Sequence, residues 1–409
     1  MKISIIGLGY IGIPTATFFA KKDIDVIGID IDENKINNLN KGNIGIVEPY
    51  LPEMFKEVVA KGNFSAMTSP QSTDAYIICV PTPFKANHEP DISFIKQAVQ
   101  NITPILKKGD LIILESTSPV GTTEKIAEWI KNERKDLIVP VENNNNSDIY
   151  IAYCPERMIP GNVFELVKND RIIGGINNSS TQKAKDLYSL IVEGELILTN
   201  SRTAEMSKLT ENSFRDVNIA FANELSMICD KLNINVQELI RIANHHPRVN
   251  ILQPGCGVGG HCIAVDPWFI VNKNPNEAKL IKQAREVNDY KPQYVINKVL
   301  ENIKDLNIDN PSITCFGLSF KPNIDDLRES PALKITLELA KNFRNVKVVE
   351  PNIEMLPENL KEKNIELTTL EKGLTSNILL MLVEHNEFKR INPDVNSNQR
   401  IIDTRGIWI

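Results

Sequence analysis

Apolar and polar positions follow one another along this chain in two rhythms. The first thirty residues read strand, turn, helix, strand. Lys2–Ile6 is a β-branched run, a helical stretch covers about Ile13–Lys22 with Pro14 tolerated in its first turn, and Asp25–Ile29 forms a second strand ending at Asp30. The alternation predicts further strands at Ala75–Val80, Asp110–Glu115 and Ile149–Tyr153, and helices at about Ile92–Leu106 and Thr122–Asn132. Such alternation implies a parallel sheet covered on both faces. From about Ser201 to Leu232 the rhythm becomes helical, with Met206, Leu209, Val217, Ala220, Leu225, Ile228 and Leu232 recurring on one stripe. A helix this long spans between domains or packs against a second subunit. Helices at about Val236–Asn244 and Glu277–Leu306 follow. After Pro311 the first rhythm restarts: strands at Ile313–Leu318, Val346–Val349, Ile378–Val383 and Ile401–Asp403, with a helix at Pro331–Lys341. The expected fold class is α/β, two parallel-sheet domains joined by a long central helix and a helical middle region. The expected divisions are 1–200, 201–306 and 307–409.

The bulk numbers change this picture little. A chain of 409 residues is too long for a single core, and 42% apolar with 24% charged residues is ordinary for a globular protein. A net charge of −6 without a basic cluster argues against nucleic acid as partner. The N-terminus enters a strand at once, which predicts no cleaved leader, and no apolar run approaches the ~18 residues of a membrane span. A cytoplasmic protein is expected. The polar run Asn143–Asn146 reads as a surface loop. The six cysteines show no disulfide framework, and Cys79, Cys229 and Cys315 lie in apolar runs as small hydrophobes. Cys256, His261 and Cys262 could be taken for a metal group, but there is no matching second pair, so no metal is predicted.

The turn after the first strand carries Gly7-x-Gly9-x-x-Gly12, with a helix behind it and an acid, Asp30, 18 residues past the last glycine. Gly7 suits the tight turn, Gly9 the approach of a pyrophosphate and Gly12 close helix–strand packing, while the helix N-terminus offers amides to phosphate. Asp30 would hold the adenosine ribose hydroxyls and repel a 2′-phosphate, so the expected cofactor is NAD on a Rossmann-like domain. Thr82, Ser116 and Thr117 lie past strand ends and are candidates for the nicotinamide side, or turn formers and caps.

A second constellation is Gly259-Gly260-His261-Cys262, with Asp266 four residues on. Cys262 could be a nucleophile, with Asp266 orienting or deprotonating water and His261 or a helix N-terminus favouring the thiolate. Gly255, Gly257, Gly259 and Gly260 predict a flexible, open loop, a poor place for a structural thiol, although core packing is the commoner fate of a cysteine. Lys208 and Asn212 share a helix face and could hold a developing oxyanion; equally, that face could be solvated, with Glu205 paired to Lys208.

At this point the residues resemble a known family, the UDP-glucose/GDP-mannose dehydrogenases, which oxidise C6 of a nucleotide sugar to a carboxylate with two NAD. The resemblance covers nearly the whole chain: GLGYIG at 7–12, VPTP at 80–83, STSPVG at 116–121, PER at 155–157, AEMSKLTEN at 204–212, GGHC at 259–262 and FKPNIDDLRESP at 320–331. Within it, GVGGHCIAVDPWFI at 257–270 and AREVND at 284–289 are similar to the branch acting on UDP-N-acetyl-D-mannosamine. Val265 stands where UDP-glucose enzymes carry a lysine, and Pro160 where they often carry a second glutamate. The resemblance implies Cys262 as the nucleophile forming a thiohemiacetal and then a thioester, Lys208 with Asn212 as acid/base or oxyanion cation, and Asp266 and Glu156 assisting proton transfer through a water on Thr117. It implies an NAD site of Tyr10, Ile11, Asp30, Lys35, Thr82 and Thr117 with Arg328 from the C-terminal domain. It implies a UDP-sugar site of Arg157, Arg215, His246, Arg248, Gly259, Lys321 and Arg405, and a homodimer or dimer of dimers sharing Arg248; plain surface charge is the alternative for Arg215 and Arg405. Rival readings are a UDP-N-acetyl-D-glucosamine 6-dehydrogenase, a one-step dehydrogenase with a structural Cys262, and a non-catalytic nucleotide-binding regulator.

Overall fold

A computed structural model describes residues 1–46, 48–158, 161–260, 262–361, 363 and 365–408. It divides into two compact units, Met1–Thr210 and Glu211–Ile409. The first contains β1 (Lys2–Ile6), α1 (Gly12–Lys21), β2 (Asp25–Ile29), α2 (Glu33–Leu39), α3 (Leu51–Ala60), β3 (Phe64–Met67) and β4 (Ala75–Ile78). It continues with α4 (Ser93–Ile102), β5 (Leu111–Leu114), α5 (Thr122–Glu133), β6 (Tyr150–Tyr153), α6 (Glu165–Lys168), β7 (Arg171–Gly175), α7 (Asn178–Tyr188), β8 (Leu196–Asn200) and the start of α8 (Ser201–Leu232).

These strands form one sheet in the order β3-β2-β1-β4-β5-β6-β7-β8. The order reverses at β1, which pairs with β2 on one side and β4 on the other, placing Ile3 opposite both Val26 and Ala75. Every pair is parallel except β6–β7, which departs from the all-parallel expectation. Strands β4 and β5, AYII and LIIL, are apolar throughout because helices cover both faces. On one face Ile3 and Ile5 pack with Phe19 of α1 and Phe55 of α3. On the other, Tyr76, Ile78 and Ile112 pack with Ile95 and Val99 of α4 and Ile126 and Ile130 of α5. Phe19 and Phe55 are fully buried, each stabilising the unit by about 2 kcal/mol.

The second unit holds the rest of α8, then α9 (Val236–Ala243), α10 (Asp266–Lys273), α11 (Lys279–Leu306), β9 (Ile313–Phe316), α12 (Pro331–Asn342) and β10 (Val346–Val349). It closes with α13 (Glu358–Lys361), β11 (Ile365–Leu367), α14 (Leu370–Gly373), β12 (Ile378–Met381) and β13 (Arg400–Asp403). Its sheet, β11-β10-β9-β12-β13, is entirely parallel. Ser330 caps α12 through Leu333 N–H, with Pro331 at the first helical position.

Helix α8 matches the expected limits but not the expected stripe. Its buried side is largely polar, with Glu205, Asn212, Ser213, Asp216, Asn223 and Ser226 among Ala204, Leu209, Ala220 and Cys229. Met206, Ile228 and Leu232, three members of the stripe named from the spacing, are exposed, and Phe214 and Phe221 join them at 68% and 52%. Phe214, Phe221 and Ile228 recur every seven residues, so an apolar stripe faces outward.

Candidate active site

The glycine turn of the first unit has three different glycines. Gly7 has φ +93°, and a Cβ there would lie 2.6 Å from the Cys79 carbonyl oxygen; at Gly12 it would lie 1.9 Å from that of Gly7. Both are required by the close packing of strand, turn and helix. At Gly9 nothing lies within 4 Å, so the backbone there is open to a ligand. Helix α1 begins without a side-chain cap and without an acid in its first turn, so no side chain competes with a phosphate at its start. Asp30 follows β2; its carboxylate accepts from Leu8 N at 3.1 Å, Asp32 N at 3.1 Å and Lys35 Nζ at 2.8 Å. Burial alone would raise its pKa, but these donors hold it below the ordinary aspartate value. An anionic acid beside an open turn fits a ribose diol and pyrophosphate, and the residues present fit NAD. Thr82 donates to the Thr117 carbonyl at 2.7 Å, bringing together the loops after β4 and β5. Ser116 and Ser118 bond to the Val80 and Ser116 carbonyls at 2.7 Å and 2.8 Å, as turn formers do. Tyr10 and Ile11 sit half-buried on the same turn.

Just past β6, Glu156 is buried. Its Oε1 accepts from Arg157 N at 2.7 Å and Met158 N at 2.6 Å, and its Oε2 pairs with the guanidinium of Arg171. Burial pushes Glu156 up to about 7, against those amides and the nearby charges of Lys208 and Arg157, which favour the carboxylate. Glu205 does not pair with Lys208: it is fully buried and accepts from Gly121 N at 2.6 Å, Thr123 N at 2.8 Å and Thr123 Oγ1 at 2.6 Å, holding the start of α5.

In the second unit, Cys262 is exposed on the turn leading into α10, where its carbonyl accepts from Asp266 N at 2.8 Å. Asp266 opens the helix and is buried; Asn212 donates to its carboxylate at 2.5 Å. The loop before Cys262 is not the flexible one its glycines suggested. A Cβ at Gly259 would meet the Glu329 carbonyl oxygen at 2.5 Å and one at Gly260 the Phe320 ring at 3.0 Å, so this loop packs tightly on the 320–331 segment. Its base is tied down as well. Gly255 N donates to Asn223 at 2.9 Å; Asn223 donates to Asn288 at 2.8 Å; Asn288 and Arg285 both reach Asp216, at 2.8 Å and 2.6 Å. Burial pushes Asp216 up to about 6 despite Arg285. The 284–289 segment thus anchors the cysteine loop to α8. Cys256 is buried, its thiol 3.6 Å from the Leu382 carbonyl oxygen. His261 and Pro160 lie outside the described residues, and among the described residues no group of three metal-binding side chains occurs.

Arg405 is not plain surface charge: it donates to the Pro254 carbonyl at 2.8 Å and pairs with Glu384, bracing the same loop. Arg328 is exposed and pairs with Asp326 at 2.6 Å, while Arg157 donates to the Asp170 carbonyl at 3.1 Å. Arg215, His246 and Arg248 are exposed, and Lys321 is half-buried after β9. Sequence reasoning missed Arg171, Glu115, Asp216 and Asn223. A charged residue opening or closing an otherwise apolar strand, as Arg171 opens β7 and Glu115 follows β5, was the available signal for the first two.

A mostly parallel sheet whose strand order reverses at an open glycine turn with a buried-side acid after the next strand, in a chain that also carries an exposed thiol beside a buried, hydrogen-bonded aspartate, defines an NAD-dependent dehydrogenase. Three family models match the chain in sequence: the UDP-glucose/GDP-mannose dehydrogenase NAD binding domain over 1–192, the central domain over 202–290 and the UDP binding domain over 314–409. A UDP-N-acetyl-D-mannosamine dehydrogenase of Campylobacter jejuni is 58% identical over 398 residues, covering 96% of this chain and 97% of its own. An NDP-N-acetyl-D-galactosaminuronic acid dehydrogenase of Ralstonia nicotianae is 53% identical, covering 99% and 96%. The solved UDP-D-ManNAc dehydrogenase of Pyrococcus horikoshii superposes with a TM-score of 0.89 at 37% identity, covering 100% and 96%. The chain belongs to the UDP-glucose/GDP-mannose dehydrogenase family, and NAD is its cofactor. Among the described residues no helix is long and apolar enough to cross a membrane.

Proposed function

We propose that this chain oxidises UDP-N-acetyl-D-mannosamine at C6 to UDP-N-acetyl-D-mannosaminuronate, reducing two NAD, for the assembly of surface glycans. The observation that carries the reading is Cys262, exposed on a rigidly braced loop and followed by an aspartate that Asn212 holds in place. NAD, when bound, supplies the hydride acceptor for both oxidations. Lys208 and Asn212 steady the oxygen as the C6 alcohol loses its proton and hydride to become an aldehyde. The Cys262 thiolate adds to the aldehyde carbon, so C6 stays attached as a thiohemiacetal between the two steps. Loss of its hydroxyl proton and a second hydride leaves a thioester. Water then attacks the acyl carbon, Glu156 or Asp266 takes its proton, and the carboxylate leaves as the thiol is restored. With its pKa near 7, Glu156 can both accept and return a proton at neutral pH.

In this reading residues 1–200 hold the cofactor through Gly7, Gly9, Tyr10, Ile11, Gly12, Asp30, Lys35, Thr82 and Thr117, with Arg328 reaching it. Residues 201–306 carry the cysteine, and 307–409 hold the UDP moiety. Arg157, Arg215, His246, Gly259, Lys321 and Arg405 grip the sugar nucleotide, and Arg248 comes from the neighbouring subunit. The outward apolar stripe of α8 supports a homodimer or dimer of dimers. Six cysteines without a disulfide support a reducing, cytoplasmic setting. The relative named for a galactosaminuronic acid makes the sugar the point to test. Limiting UDP-N-acetylmannosamine with excess NAD should give two NADH per sugar, with little from UDP-N-acetylglucosamine, UDP-N-acetylgalactosamine or UDP-glucose. One NADH per sugar would rule out the thioester route; turnover of another sugar instead would move the specificity alone.

A further inference from the structure

Behind Glu156 lies a buried cluster to which none of the roles above gives a part. Arg171, 2% exposed, opens β7 and splits its two terminal nitrogens between acids, Nη1 to Glu156 and Nη2 to Glu115. Its Nε is a buried nitrogen without a hydrogen-bond partner among the described residues. A guanidinium placed for ion pairing alone gains most by gripping one carboxylate with two parallel bonds. This one is spread across two instead. Glu115 is saturated from every side: Thr15 Oγ1 donates at 3.2 Å from α1, Cys79 Sγ at 2.9 Å from the loop after β4, and Tyr188 Oη at 3.2 Å from the end of α7. The Tyr188 ring also lies under the Arg171 guanidinium at 4.5 Å, and the Cys154 carbonyl accepts from Nη2 at 3.2 Å. The Glu115 side chain is wholly enclosed, so Glu156 is the one acid of the pair with an outlet. Glu156 is also within reach of the charges of Lys208 and Arg157.

We propose that Arg171 is a positioning residue: anchored from behind by Glu115 and Tyr188, it fixes the Glu156 carboxylate for proton transfer. This rests on the acid/base reading of Glu156 given above. One guanidinium facing two carboxylates leaves one negative charge in excess in a dry site, and the acid with an outlet is the one that exchanges a proton. Glu115 therefore sets how much of the Arg171 charge is left for Glu156.

The test uses Glu115→Gln, Arg171→Lys and Glu156→Gln in the full chain, with kcat and KM for UDP-sugar and NAD measured over roughly pH 5 to 9. Glu115→Gln keeps shape and leaves Arg171 to Glu156 alone, so the acid limb of kcat should move lower by about one pH unit. Arg171→Lys keeps the charge but loses the fork, and should lower kcat on the order of 100-fold with KM changed less than about threefold. If the lysine variant does not fold, Glu115→Gln decides alone. An unmoved acid limb in folded Glu115→Gln, with Glu156→Gln inactive, would overturn the positioning role and leave the Glu156 reading standing. A Glu156→Gln enzyme with wild-type rate and pH profile would overturn both.

Discussion

The two sheets of this protein repeat one backbone device and put it to different use. In the first unit, Gly7 N donates to the Ile29 carbonyl at 2.8 Å and Leu8 N to Asp30 at 3.1 Å. In the second, Gly317 N donates to the Val349 carbonyl at 2.9 Å and Leu318 N to Glu350 at 2.7 Å. The glycines have φ of +93° and +90°. Each turn leaves a strand at the point where the strand order reverses, and each is closed by the acid that follows the neighbouring strand. Beyond that they part. After Leu8 comes Gly9, with empty space over it; after Leu318 comes Ser319, buried, its hydroxyl on the Lys321 carbonyl at 2.7 Å. Asp30 is paired with the half-exposed Lys35, whereas Glu350 is sealed against the fully buried His385 at 3.1 Å. His385 Nδ1 accepts from Asn323 N at 2.9 Å, so its Nε2 carries the proton given to Glu350. The same turn is thus left open in one sheet and filled with side chains in the other. In this chain the turn with room over it is the one whose third residue is also bare.

The contrast between the turns can be broken most forcefully at two glycines, Gly317, which the turns share, and Gly9, which they do not. A Cβ at Gly317 would sit 2.4 Å from Val383 Cβ at a left-handed φ, so Gly317→Ala should cost about 3 kcal/mol of stability and leave NAD affinity unchanged. Gly9→Val should do the reverse: an unaltered melting temperature and NAD binding weakened on the order of 100-fold, about 2.7 kcal/mol. Calorimetry and NAD titration read both, and a shared effect would end the distinction. The acids give a smaller contrast. Asp30→Asn should weaken NAD about 10-fold, while Glu350→Gln should affect stability alone. Burial would raise Glu350, but His385 and the Leu318 and Asn352 amides hold it below the ordinary glutamate value of 4.5. A depressed carboxylate contributes stability above its unfolded pKa and loses it as pH falls through the folded one, so melting should fall on acidification and do so less in Glu350→Gln. The smallest effect is expected from Ser319→Gly, about 1 kcal/mol of stability and no NAD site gained, because His385 still fills the place. A second dinucleotide bound by that variant would mean that the glycine alone is the difference.

How far sequence carries can be seen in single residues. The turn from β1 through Asp30 was readable because all its parts lie within thirty residues and each has one physical job. Helix α8 was readable in length but not in orientation. Its polar residues face inward because Gly121 and Thr123 need Glu205, and because Arg285 and Asn288 need Asp216, partners some 70 to 80 positions away that no local spacing reveals. Strand β7 and helix α7 went unread since Arg171 breaks the apolar run at its start and α7, NSSTQKAKDLY, is mostly polar. The cysteine loop was found through its residues, yet its stiffness was not. Only the neighbouring carbonyl of Glu329 and ring of Phe320 tell that its glycines are there for lack of room.

Of six thiols in the chain, Cys262 is exposed, four are buried, and the sixth, Cys79, is engaged by Glu115. The molecule therefore carries its own single-site label. A maleimide dye or an oxidant such as peroxide meets Cys262 first, and the amount taken up counts intact sites without any assay of turnover. If Cys262 is the nucleophile proposed above, the same asymmetry makes the protein a chemical fuse, in which oxidative damage is spent on the residue that stops the reaction while the cores behind it stay reduced.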